Sequence, residues 1–335
     1  MTTVEAPVKP VVSPGPADIR ATDLARSFGD VQAVRSVSFE ARVGEVTGLV
    51  GPNGSGKTTL LLMLATLLVP DRGEIRIGGH DPVTESVEVR RLLGWMPDVL
   101  GVWPNLTVRR SLELTGRLYD LPRPTSAARA SELIELVDLT ELADRPTRVL
   151  SRGQKQRLSL ARALVHDPRV LLLDEPASGL DPGARIALRV LLRRLAAEGR
   201  TVVVSSHVLA ELDELADRTV FLEAGTSVSA DRVAAAQRTE RGWRIRTLDA
   251  SGLRDALVGA GIDETRMVSE PQGLVVPIAG DQQAAELLAT LVRAGVPVTS
   301  FAPAVGDLEH TFLDLSSDAH PGAGENPHPG GEEAS

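Results

Sequence analysis

The chain has 335 residues and a mass of 35.6 kDa, 42% of them hydrophobic, enough for a sizeable core and two domains and too many for a disordered protein. A formal net charge of −9 and a pI near 5.3 offer no field to hold a polyanion, so no nucleic-acid partner is expected. With no cysteine there is no disulfide, no thiolate metal site and no thiol nucleophile.

The opening "MTTVEAPVKPVVSPGPA" is dotted with proline and lacks the basic patch and apolar stretch of a secretory signal; residues 1–17 are expected to form a disordered arm in the cytoplasm. The run "EVTGLVG" (45–51) reads as a buried strand. It leads into "GPNGSGKTT", that is Gly51, Pro52, Asn53, Gly54, Ser55, Gly56, Lys57, Thr58 and Thr59, which fits the phosphate-loop pattern G-x-x-x-x-G-K-[ST] between a strand and a helix. Glycines let backbone N–H groups turn inward around phosphate oxygens, the helix N-terminus adds partial positive charge, and Lys57 reaches the terminal phosphates. Thr58 is placed to put its hydroxyl on Mg²⁺. The chain's lysines are Lys9, Lys57 and Lys155, which makes the match hard to obtain by accident.

The longest apolar run, "LLLMLATLLV" (60–69), is about half the roughly 20 residues that cross a bilayer. Next, "GWMPDVLGVWPNLT" (94–107) crowds two tryptophans, two prolines and Asp98 into one connector. The run "RVLLLDE" (169–175) reads as a second strand, delivering Asp174 as a metal-holding carboxylate at the sheet's carboxyl edge. Glu175 points elsewhere and is the candidate general base for the water that attacks a γ-phosphate. The helix "GARIALRVLLRRLAAEG" stops at Gly199, and the strand "TVVVSSH" (201–207) ends in His207, at the same edge and within reach of the γ-phosphate. Strands alternating with helices imply a parallel α/β sheet. After about residue 240 the order becomes βαββαβ, as in a small ferredoxin-like split unit. The tail "DAHPGAGENPHPGGEEAS" is Gly/Pro-rich and expected to be disordered, with His320 and His328 solvated.

"LSRGQKQRLSLARAL" (150–164), set just before "LLLDEPASGLDP", resembles the signature of ABC transporter ATP-binding subunits. The order phosphate loop, signature, acidic strand, "SGLD" and terminal histidine extends the resemblance over about residues 18–225. It implies a P-loop NTPase domain of the ABC type with a helical subdomain, spanning 18–235, followed by a small α+β domain at 240–316 and a tail at 317–335. It also implies a homodimer in which each ATP, with Mg²⁺, lies between the phosphate loop of one copy and Ser151, Gly153 and Gln154 of the other. Ser151 is a good N-cap, so the helix behind it offers free N–H groups to an anion. By the same resemblance Phe28 stacks on adenine, Asp181 connects the two sites and His207 is the switch histidine.

The family usually has a glutamine where this chain has Asp98, a residue that touches Mg²⁺ and the attacking water and whose loop leans on a membrane partner. An ionised Asp98 accepts hydrogen bonds but does not donate them. The apolar "VLGVW" beside it reads as a contact surface. Arg152 stands where the signature usually has glycine. The implied function is the ATP-hydrolysing engine of an exporter, with separate membrane-spanning permease subunits, bound peripherally at the cytoplasmic face. The alternative is a soluble ABC ATPase switching on nucleic acid or ribosomes.

Overall fold

A computed structural model of the chain describes residues 16–99, 101–236 and 239–318. The expected arm lies outside them except for Pro16 and Ala17, the expected tail except for Ser317 and Asp318, and His320 and His328 lie outside them altogether. The described residues fall into two compact units that divide between Ser227 and Val228.

The first unit opens with β1 (Ala17–Phe28) and β2 (Val31–Arg42), an antiparallel pair, followed by β3 (Val46–Val50) and α1 (Lys57–Leu64). Then come β4 (Arg72–Ile77), α2 (Ser86–Leu92) and β5 (Leu93–Met96). Three helices, α3 (Val108–Leu118), α4 (Arg123–Leu136) and α5 (Arg152–Ala163), pack on one another before the chain returns to the sheet. It closes through β6 (Val170–Asp174), α6 (Pro182–Ala197), β7 (Thr201–Ser205), α7 (Leu209–Leu215), β8 (Arg218–Glu223) and β9 (Thr226–Ser227).

Among the described residues these strands form one nine-stranded sheet in the order β4-β1-β2-β9-β8-β3-β7-β6-β5. From β8 to β5 every neighbouring pair is parallel. β3, β6 and β7 are buried at every position, as continuous Val/Leu runs covered on both faces must be. Ile19, Leu24, Leu49, Leu60, Leu64, Leu172 and Val203 share the core beneath α1. Asp18 carries β1 into this layer: it takes hydrogen bonds from Arg169 Nε and Thr201 Oγ1, each at 2.8 Å, so its buried charge is paired.

Helix starts follow their capping residues. Thr107 accepts from the Arg110 N–H to start α3, and Asp181 accepts from the Ala184 N–H to start α6 with Pro182 in its first turn. Ser151 and Gln154 form a reciprocal capping box at α5: Ser151 Oγ accepts from the Gln154 N–H at 3.2 Å, and Gln154 Oε1 accepts from the Ser151 N–H at 2.9 Å.

The second unit contains α8 (Ala230–Ala236), β10 (Glu240–Thr247), α9 (Ala250–Gly259), β11 (Val268–Glu270), β12 (Gly273–Ala279), α10 (Gly280–Arg293), β13 (Val298–Pro303) and α11 (Asp307–Asp318). Its sheet runs β11-β12-β10-β13 with all neighbours antiparallel, the pairing of a split βαββαβ unit. Trp243, Ile245, Leu257, Val276, Ile278 and Leu291 fill its core. α8 packs on α11, which explains why the division falls ahead of α8 rather than near residue 240.

Candidate functional site

The loop between β3 and α1 lies so close to its neighbouring strands that two of its positions have no room for a side chain. Gly56 takes φ +101°, and a Cβ there would sit 2.5 Å from the Ala33 carbonyl oxygen; one at Gly51 would sit 2.4 Å from that of Leu222. Ser55 Oγ is buried without a partner, a donor left for an oxygen-rich ligand. Lys57 is only 8% exposed and curls under the loop, donating to the carbonyls of Gly51 at 2.6 Å and Pro52 at 3.1 Å. Burial holds its ammonium below the usual lysine range, while the charges of Glu175 and Asp174 act the other way.

Asp174 ends β6 at the sheet's carboxyl edge, 2% exposed. Its Oδ2 accepts from Thr58 Oγ1 at 3.1 Å, and its Oδ1 accepts from Ser205 Oγ at 2.5 Å. A hydroxyl and a carboxylate thus converge beside the phosphate loop. Such hard oxygen donors suit Mg²⁺ held together with phosphate oxygens.

Glu175, the next residue, has a left-handed backbone, φ +51°, unusual for a residue with a side chain. Its N–H donates to Ser205 Oγ at 3.1 Å, and its carbonyl accepts from Gln156 Nε2 at 2.8 Å and from the Ser178 N–H at 3.0 Å. Its carboxylate turns away from Asp174 and meets His207, Oε2 to Nδ1 at 2.7 Å. Burial pushes this carboxyl above the usual carboxylate range, partly offset by the His207 bond. Raised proton affinity on a carboxylate oriented by His207 is the character a general base needs.

The fold therefore brings together Lys57, Thr58, Asp174, Glu175 and His207. Ser151, Gly153 and Gln154 sit at the start of α5, and among the described residues none is hydrogen-bonded to the phosphate loop. Arg152 beside them donates to Ser178 Oγ at 2.8 Å and lies over Gly179. Asp181 spends its side chain on the α6 cap, which lowers its carboxyl pKa. Phe28 ends β1, half-exposed, under the Arg26 guanidinium at 5.1 Å.

Asp98 lies exposed two residues beyond β5, next to Val99, which is 82% exposed. Trp95 instead packs against the core. Trp103 lies under the Arg162 guanidinium at 4.7 Å, with Arg162 also donating to the Gly101 carbonyl.

Two contributors escape a reading of the sequence by itself. Ser205 looks like the last residue of an apolar strand; the clue is that β7 lies beside β6 with Ser205 opposite Asp174. Gln156 is a polar residue on the same helical face as Leu160 and Ala163, 2% exposed, and a buried amide on an apolar stripe calls for a partner.

A phosphate loop, an acidic strand and a histidine at the edge of a largely parallel sheet define the P-loop NTPase class. The ABC transporter family model matches residues 34–178. The daunorubicin resistance ATP-binding protein DrrA3 of Streptomyces coeruleorubidus is 35% identical over 301 residues, covering 88% of this chain and 94% of that protein. The Nod factor export ATP-binding protein I of Burkholderia orbicola is 37% identical over 249 residues, 73% of this chain and 81% of that protein. Among solved structures, an ATP-binding subunit of an ABC transporter superposes with TM-score 0.59 at 27% identity over 65% of this chain and 92% of that one. A dimeric ATP-binding cassette in a post-hydrolysis state, bound to ADP and Pi, gives TM-score 0.59 at 27% identity over 63% of this chain and 97% of that one. The chain belongs to the ABC transporter family of ATP-binding subunits and is an ATP hydrolase of that class.

Proposed function

We propose that this chain is the ATP-driven engine of an exporter whose membrane-spanning permease is a separate chain, the cargo being a small molecule, drug or polysaccharide. The relatives named for daunorubicin resistance and Nod factor export support the direction and cargo class. No helix among the described residues is long and apolar enough to cross a membrane, in keeping with a separate permease and a place at the cytoplasmic membrane face.

The observation that carries the mechanism is the division of labour between adjacent carboxylates: Asp174 faces Thr58 at 3.1 Å, while Glu175 faces His207 at 2.7 Å. Backbone N–H groups of the Gly51–Thr59 loop, to which Pro52 contributes none, bind the phosphates together with the Ser55 hydroxyl and Lys57. Thr58 and Asp174 would hold Mg²⁺, which would supply charge neutralisation for the transferring phosphate. Glu175 takes the proton of the attacking water, and His207 holds the Glu175 carboxylate and contacts the γ-phosphate. Phe28 stacks on the adenine. Two copies close on ATP, with Ser151, Gly153 and Gln154 of one copy meeting the nucleotide of the other and Asp181 linking the sites. The loop carrying Asp98, with exposed Val99 beside it, meets the permease, so that closure moves the partner and hydrolysis releases it.

The test is ATP hydrolysis by the purified chain with and without its co-expressed permease in lipid, for wild type, Glu175→Gln and Lys57→Ala. Glu175→Gln is expected to bind ATP and accumulate the closed dimer without turnover, and Lys57→Ala to fail at nucleotide binding. Turnover that ignores the permease would refute the export reading; unimpaired turnover in Glu175→Gln would refute the base.

A further inference from the structure

The signature helix touches more than its own N-terminus. From one face of α5, Gln156 donates through Nε2 to the backbone carbonyl of Glu175 at 2.8 Å, and Gln156 is 2% exposed. At the other end of the same helix, Arg162 holds the connector after β5 by its bond to the Gly101 carbonyl and by covering the Trp103 ring at 4.7 Å. The two residues are six positions apart, about 9 Å along a helix axis. Trp103 is also tied to the segment before α5, its carbonyl accepting from Thr147 Oγ1 at 2.7 Å, while the Leu106 N–H closes a local turn on the same carbonyl at 3.0 Å.

Glu175 needs such a hold. Its backbone sits at φ +51°, a conformation that persists for a side-chain-bearing residue only where its surroundings over-determine it. Ser205 and the Ser178 N–H supply part of that restraint from the sheet and the following turn. Gln156 supplies the part that comes from the helical layer, and it is the part that moves if α5 moves. A rotation of the Glu175 peptide swings its carboxylate off His207 Nδ1, now 2.7 Å away. Near the reacting centre, displacements of about 1 Å are enough to cost turnover.

We propose that Gln156 is a positioning residue for Glu175, and that α5 couples the Gly101–Trp103 connector to the catalytic carboxylate, with Arg162 and Gln156 as the two ends of the coupling. This rests on the reading of Glu175 as base. It assigns a mechanical path from the loop near Asp98 to the chemistry that does not pass through the nucleotide.

The test compares steady-state ATP hydrolysis by full-length wild type, Gln156→Met, Arg162→Met and the double variant, with Glu175→Gln as reference. Methionine keeps the length of Gln156 and removes its donor. Gln156→Met is expected to lower kcat about five- to ten-fold, the worth of one buried hydrogen bond, with KM for ATP within two-fold of wild type. Arg162→Met is expected to lower kcat less, and the double variant to be no slower than Gln156→Met, because the path is already cut. Thermal unfolding of each variant is followed alongside; should Gln156→Met fail to fold, Gln156→Glu, which exchanges donor for acceptor at the same length, takes its place.

A kcat within two-fold of wild type for Gln156→Met, with Glu175→Gln inactive, overturns the positioning role. Losses that multiply in the double variant overturn the coupling. Persistent turnover in Glu175→Gln instead overturns the underlying assignment of the base, a result distinct from either.

Discussion

Ser205 Oγ lies 2.5 Å from Asp174 Oδ1, across a parallel strand pair that sets these two residues opposite each other. The same oxygen accepts the Glu175 N–H at 3.1 Å, so one hydroxyl orients both acidic residues. Partners behind a metal-holding carboxylate typically tune metal affinity 10–100-fold. Ser205→Ala is expected to raise the Mg²⁺ concentration for half-maximal hydrolysis by about ten-fold, with ATP binding in the absence of Mg²⁺ unchanged. An unchanged Mg²⁺ requirement would show that Asp174 holds its orientation without this hydroxyl.

The pH profile of kcat should carry the signature of Glu175. Its carboxyl is raised by burial and lowered by the His207 bond. A base must be ionised, so activity falls as pH drops through this raised pKa, and the acid limb should lie above that of an exposed glutamate. His207→Ala removes the lowering contribution and should move the limb to still higher pH, while also cutting kcat. A limb that stays in place would exclude Glu175 as the titrating group.

Arg152→Gly tests the departure from the usual signature. The Arg152 bond to Ser178 Oγ, 2.8 Å, joins the start of α5 to the turn that leads into Asp181. Its loss should cost about 1 kcal/mol, or roughly 2–4 °C in Tm for the first unit. If the guanidinium also assists the nucleotide across the dimer, the ATP concentration for half-maximal dimerisation rises several-fold. A shift in Tm alone would confine Arg152 to a local tie.

His166 makes stability depend on pH. It stacks on Tyr119 with centroids 3.7 Å apart and accepts no easy charge: burial lowers its pKa from 6.5 to about 4. Above pH 6.5 the ring is neutral in both folded and unfolded chains and contributes no pH dependence. Between 6.5 and 4 the unfolded chain binds a proton that the folded chain does not, so stability falls on acidification, by up to about 3 kcal/mol below pH 4. Chemical denaturation at pH 7 and pH 4.5 should show this slope in wild type and a flatter one in His166→Gln.

The chemistry that lies on contiguous residues was legible in the sequence. Gly51 to Thr59 needs only its own loop, and Asp174–Glu175 announces itself by following four apolar residues. The split order of the second unit was legible too, because its strands and helices alternate with clear punctuation. Contacts between distant segments were not. Ser205 meets Asp174 over 31 positions, Gln156 meets Glu175 over 19, and Trp103 meets Arg162 only after α3 and α4 have folded back. The antiparallel β1–β2–β4 layer was equally hidden, since its side chains alternate with burial but say nothing of which strand lies beside which. The packing of α8 on α11, which moves the unit boundary, rests on the same kind of long-range contact.

The burial of Lys57 gives the chain an unusual chemical profile. Its positive charge is carried almost wholly by guanidinium groups, and of its three lysines Lys9 lies outside the described residues while Lys155 is half-buried. An amine-selective acylating reagent therefore meets few side-chain targets, and the one beneath the phosphate loop is shielded and weakened in basicity by its surroundings. If Lys57 binds the phosphates as proposed, its acylation rate, read by peptide mass spectrometry, should fall further as ATP is added.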